Sequence, residues 1–180
     1  MSPRPFDPRA LDVEAFAAQG GALSGEWPQR EMPRLLSVAH EGVAGAETVV
    51  VWRADAERAP LKGRQPQIWL RLALATPVVL TCQRCLGPLD VTLDVKRRFG
   101  FVVGEDEAAA LDAETDDDVL ALARTLDLRE LAEDELLLAL PLVPMHSECS
   151  LPATPGDGEP PGAAREHPFA ALAVLKRGAH

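Results

Sequence analysis

Nowhere in this 180-residue chain is there an apolar run approaching the ~20 residues needed to cross a bilayer. The opening residues, MSPRPFDPRALD, likewise lack the apolar stretch of a secretory signal. These absences predict a cytoplasmic protein with no membrane partner. Cysteine is scarce: there are three, an odd number, in a chain expected to sit in a reducing compartment. That argues against a disulfide framework and leaves thiols or metal ligands. Positive charge is short as well, with 18 Lys and Arg against 28 Asp and Glu and a net charge of -10. Loose, sequence-independent grip on a phosphate backbone runs on positive charge, so a basic partner or a locally basic patch is expected instead. What the chain does have is 47% hydrophobic residues, enough at this length for one cored domain with appendages.

Residues 8–19 (PRALDVEAFAAQ) set Leu11, Val13, Phe16 and Ala17 among charges at helical spacing, with Gly20 and Gly21 as a stop. Residues 35–40, 48–54 and 67–75 are rich in Val, Ile, Trp and Leu and are separated by turn-forming clusters, which predicts antiparallel strands. In the third of these, Ile68, Leu70, Leu72 and Leu74 alternate with Gln67, Trp69, Arg71 and Ala73, the pattern of a half-buried strand. Further strands are expected at 78–81 and 89–101, and the acidic stretch 104–118 reads as a solvated loop. A helix begins at Asp127, which caps it with Glu130 three residues on, and ends at Pro141. SLPATPGDGEPPGAA is too rich in Pro and Gly for a helix or a sheet, and HPFAALAVLKR then resumes a helical period. The predicted fold class is α+β: a small antiparallel, partly barrel-like sheet with a packed helix, a flexible C-terminal linker and a short terminal helix. Residues 1–149 form the domain, 150–165 the linker and 166–180 a docking motif.

Charge is unevenly spread. Residues 52–100 hold nine Lys or Arg against four Asp or Glu, a balance of +5, and residues 101–135 hold thirteen acids against two Arg, a balance of -11. This permits an RNA-facing sheet, on which Lys96, Arg97 and Arg98 are candidate contacts, beside an acidic flank. A solvated surface with compensating ion pairs is the plainer explanation.

The sharpest local pattern is Cys82-Gln83-Arg84-Cys85 (C-x2-C) together with His146-Ser147-Glu148-Cys149 (H-x2-C). A two-residue spacer lets both side chains of a turn converge on one ion, so Cys82, Cys85, His146 and Cys149 permit a tetrahedral zinc site. The competing explanation is that Cys is often a small buried hydrophobe, and one complete C-x2-C is a weaker signal than two. A redox role for Cys82 and Cys85 ranks lower, because strands rather than a helix flank the pair. On a helical wheel over 128–140, Leu128, Leu131, Ala132, Leu136 and Ala139 share a face, with Glu130, Glu133 and Asp134 opposite. Glu135 falls within about 20° of Leu128, where an ionised carboxylate needs a partner, and Arg84 or Arg71 of the sheet is expected to supply it. No nucleophile with a base and an orienting third residue is evident, so no enzyme activity and no small-molecule substrate are expected. In the tail, Pro168 suits a first helical position, and Phe169, Leu172 and Leu175 recur at threes. So short a helix must dock, on its own sheet or in a partner's groove, with Phe169 and Leu172 as anchors.

TCQRCLGPLDV, EDELLLALPLVPMHSEC and HPFAALAVLKR, in this order, resemble three segments of the YceD-like large ribosomal RNA subunit accumulation proteins, and the N-terminal FDP and the long acidic interval fit as well. The resemblance spans most of the chain. It implies a part in the accumulation of 23S rRNA, no known catalytic activity, and a small antiparallel sheet with helices. Partners are then 23S rRNA or its precursor, or ribosomal and assembly proteins, with Arg84 and the basic strands as the contact surface. The alternatives are an acidic adaptor that holds a basic ribosomal protein without touching RNA, and a zinc-dependent hydrolase, which would need an open coordination position.

Overall fold

The computed structural model describes residues 6–41, 47–59, 67–115 and 117–151. Five strands make one sheet in chain order: β1 (Ala22–Pro28), β2 (Val49–Ala59), β3 (Gln67–Thr81), β4 (Pro88–Val102) and β5 (Asp118–Ala121). The first four pair antiparallel, and β5 joins β4 in parallel. The fold class is α+β, with two corrections to the expected sheet. It is open rather than partly barrel-like, because β1 and β5 are its two edges. It is also mixed, because the chain leaves β4 and returns to it through a helix, α3 (Glu105–Asp112), as a parallel pairing requires.

That crossover occupies the acidic stretch that reads as a loop in sequence. Glu105, Asp106 and Glu107 fall in the first turn of α3, where negative charge complements the helix dipole, so acidity here starts a helix. The strand expected at 35–40 is also a helix, α2 (Pro33–Ser37), with Pro33 at its start and its first amides satisfied from elsewhere in the chain. Strand β1 carries no strong apolar alternation; among its residues only Trp27 is buried. The expected helices at either end of the domain are present as α1 (Val13–Ala18), capped by Asp12, and α4 (Leu128–Leu138), capped by Asp127. Asp127 accepts from the amides of both Arg129 and Glu130.

Strand β3 buries Ile68, Leu70, Leu72 and Leu74 as the alternation predicts, then runs on without the expected break. Pairing with β2 stops at Ala75, and the carbonyl of Pro77 accepts from Gln29 Nε2 at 2.7 Å. Proline therefore sits where the strand has no neighbour to receive an N–H, the position sheets tolerate. Beyond that point β3 and β4 continue paired from Thr76↔Leu93 to Thr81↔Pro88, a two-stranded arm with the Cys82–Cys85 turn at its tip. The core lies on one face of the sheet, where Leu70, Leu72, Leu74 and Phe99 meet Phe16 of α1, Leu35 of α2 and Leu128, Ala132 and Leu136 of α4. Phe169, Leu172 and nearly all of the expected linker and tail lie outside the described residues. Among the described residues, no helix is long and apolar enough to cross a membrane.

Candidate metal centre

The arm tip is a tight turn: the Cys82 amide donates to the Gly87 carbonyl at 2.9 Å, and the Leu86 amide donates back to the Cys82 carbonyl at 2.9 Å. Closing it places Leu86 in the left-handed region, φ 59°, a conformation disfavoured for a residue with a Cβ. After α4 the chain runs alongside this turn, tied by the Gln83 amide to the Pro144 carbonyl at 2.8 Å. Cys82, Cys85, His146 and Cys149 thereby converge, with their ligand atoms all within 4.8 Å of one another. Cys82 Sγ lies 3.8 Å from Cys149 Sγ, and Cys85 Sγ lies 3.4 Å from His146 Nδ1. Metal–sulfur bonds of about 2.3 Å and metal–nitrogen bonds of about 2.0–2.1 Å arranged tetrahedrally put sulfurs ~3.8 Å apart and sulfur from nitrogen ~3.5 Å apart. The four side chains fit a tetrahedral ion.

Two further features fit that use. His146 Nε2 is 3.0 Å from the Pro88 carbonyl; a proton donated there leaves the Nδ1 lone pair facing the sulfurs, the outer contact that orients metal-binding imidazoles. Cys82 Sγ receives backbone amides, that of Cys85 first, which outweighs burial, and those of His146 and Arg84 besides; together they hold its thiol well below the ordinary range, at about 5. Burial pushes the Cys149 thiol up, and the adjacent Cys82 and Cys85 push it further. A cation among the sulfurs relieves that conflict. The Pro88 and Pro144 contacts carry no sequence signal, because any residue offers a carbonyl.

The remaining candidate residues are dispersed. Arg84 sits half-buried in the turn, its amide turned to Cys82. The pleat splits the run Lys96-Arg97-Arg98. Arg97 points to the helical side, where its Nε donates to Glu135 at 2.9 Å. Glu135 is buried as expected, but its partner is Arg97, in place of Arg84 or Arg71: Arg97 lies opposite the inward Leu72, whereas Arg71 points to the other face of the sheet. On the outer face Arg98 pairs with Asp117 and stacks over the Trp69 ring, 4.1 Å from its centroid. Arg71 is held by Asp55 and Glu57, and Lys96 lies 3.9 Å from Asp94. Each of these outward cations thus has a carboxylate partner. Glu133, expected on the outer side of α4, is instead buried: it accepts the Arg34 and Leu35 amides at 2.7 and 3.1 Å and caps α2.

Residues 70–176, which take in the arm, its turn and the post-α4 segment, match the family described as large ribosomal RNA subunit accumulation protein YceD. The chain belongs to the YceD family. A Haemophilus influenzae protein of the same description is 30% identical over 158 residues, which cover 85% of this chain and 86% of that protein. No solved structure matches this YceD-family chain. The membership supports involvement in accumulation of the large-subunit rRNA, as the resemblance implied.

Proposed function

We propose that the chain serves accumulation of large-subunit rRNA in the cytoplasm as a non-catalytic binding factor, with a structural zinc ion on Cys82, Cys85, His146 and Cys149. The closed four-ligand set carries this reading. Four protein ligands leave no coordination position for a substrate or an activated water, so the hydrolase alternative loses its requirement. Zinc here joins the tip of the β3–β4 arm to the segment after α4 and makes one rigid end of the molecule from two strands of chain. Residues 1–149 are then the binding domain, 150–165 a linker, and 166–180 a tail with Phe169 and Leu172 as anchors.

Two contacts with the ribosomal assembly are compatible with this role. RNA would be met by Arg84 with the outward Lys96 and Arg98. A protein would be met without RNA contact, and the pairing of Arg71, Lys96 and Arg98 with carboxylates favours this second reading. Metal analysis of the purified chain should find about one zinc per molecule, lost in Cys82→Ser; a metal-free, fully folded protein would remove the zinc part of the proposal. Retention on 23S rRNA fragments separates the two contacts: RNA binding predicts capture at low salt that Lys96→Ala with Arg98→Ala weakens, and the protein reading predicts none. Normal levels of 23S rRNA in cells lacking the protein would sink the functional reading itself.

A further inference from the structure

Beside the metal centre, the segment that leads from α4 into it presents an apolar surface. Among the described residues nine large hydrophobic side chains are exposed, and five of them, Leu86, Leu138, Leu142, Val143 and Met145, flank the two segments that the centre joins. Leu142 is wholly exposed, at 101%, and Leu86 is 59% exposed. The Gln83–Pro144 hydrogen bond and the Cys85–His146 contact hold the turn with Leu86 beside the run that carries Leu142, Val143 and Met145, so these four form one rim, with Leu138 leading into it from α4. Residues 138–147 contain no Asp, Glu, Lys or Arg, in a chain of which 26% is charged. Leu86 is also kept in the left-handed conformation, where glycine would relax the backbone. An apolar side chain held both exposed and strained points to use at an interface.

Charge selects the occupant. Asp134 is taken up by Arg34, but the exposed Glu130 lies two turns before Leu138 on α4, the exposed Glu148 follows the rim, and the chain as a whole carries -10. A polyanion gains nothing from leucines and is repelled by the carboxylates, and a second copy brings the same negative charge. We infer that this rim docks a strongly basic protein that inserts an apolar anchor among Leu86, Leu142 and Met145, with its cations meeting the bordering acids. Apolar centre and complementary polar border are the usual anatomy of such an interface, and the opposite net charges speed encounter. This rests on the binding-factor reading and names the partner of the same end of the molecule.

The test is a benzophenone photo-crosslinker placed at Leu142 of the full chain in growing cells, with adducts identified by mass spectrometry. The expected product is an adduct to an identified, strongly basic protein. With that protein purified, Leu86→Ser combined with Leu142→Ser should weaken binding at least ~10-fold while zinc content and melting temperature stay at wild-type values. An adduct to RNA, to a second copy or to residues 166–180 of the same chain, the absence of any adduct, or undiminished binding by the double variant would each overturn the inference. None of these outcomes touches the role in rRNA accumulation, which the 23S rRNA level reads separately.

Discussion

Glu133 and Glu135 stand two residues apart on α4, both are buried, and each is stabilised by a different device. Glu135 lies among the apolar residues of the helix, a position readable from the 100° periodicity alone, and its carboxylate is matched by Arg97. Glu133 departs from the wheel. It lies toward α2, whose first amides have no capping side chain of their own, and supplies that cap from a hundred residues away with the Arg34 guanidinium closing over it. Glu133→Ala should therefore cost about 2 kcal/mol in urea unfolding, since it strands two helix amides and removes the Arg34 contact. Glu130→Ala, on the exposed side of the same helix, should cost under about 0.5 kcal/mol. Equal losses for the two would deny Glu133 its capping role.

Strand β4 shows how an element redistributes what a sequence run places together. Lys96, Arg97 and Arg98 read as one basic patch, yet a strand alternates its faces, so the middle residue serves the helix and the outer two face solvent. Arg97→Ala should destabilise the fold by about 2 kcal/mol because it leaves Glu135 buried and unpaired; Lys96→Ala should have almost no effect. A double-mutant cycle on Arg97 and Glu135 checks this: the pair should couple, and Glu135→Leu should recover much of what Arg97→Ala loses. Additive single effects would mean that α4 is held without the pair. The alternation of β3 was legible for the same reason, since its inward leucines follow the period of two. Helix α2 and strand β1 were not, because the first depends on a cap from α4 and the second on its neighbour β2 rather than on its own pattern.

At the scale of the molecule, the open sheet and its helices account for the core, and the cysteine–histidine set joins the far end of the β3–β4 arm to the segment behind α4. If zinc sits there, it closes a loop running from Cys82 to Cys149, and the bound state is favoured over an unfolded chain that has no preformed site. A strong chelator should then lower the melting temperature by about 10 °C, reversibly on returning zinc, while the far-UV signal of the sheet persists below the transition. A zinc-loaded protein whose melting is indifferent to chelation would show that the arm tip is held by its hydrogen bonds alone. The net charge acts at this scale too. Among the described residues, carboxylates pair with the outward Arg71, Lys96 and Arg98, so these three do not form a free basic face.

Local pattern alone determined the inward leucines of β3, the Asp127 cap of α4, the buried position of Glu135 and the four residues with metal-ligand spacing. Each of these follows from periodicity or from chemistry between near neighbours in the chain. The tertiary structure decided everything that depends on distant segments meeting: the open, mixed sheet, the acidic crossover helix, Arg97 as the partner of Glu135, Glu133 as the cap of α2, and the convergence of Cys82 and Cys85 with His146 and Cys149 across an interval of more than sixty residues. A sequence records which groups seek partners; strand register and helix docking decide which partner lies within reach.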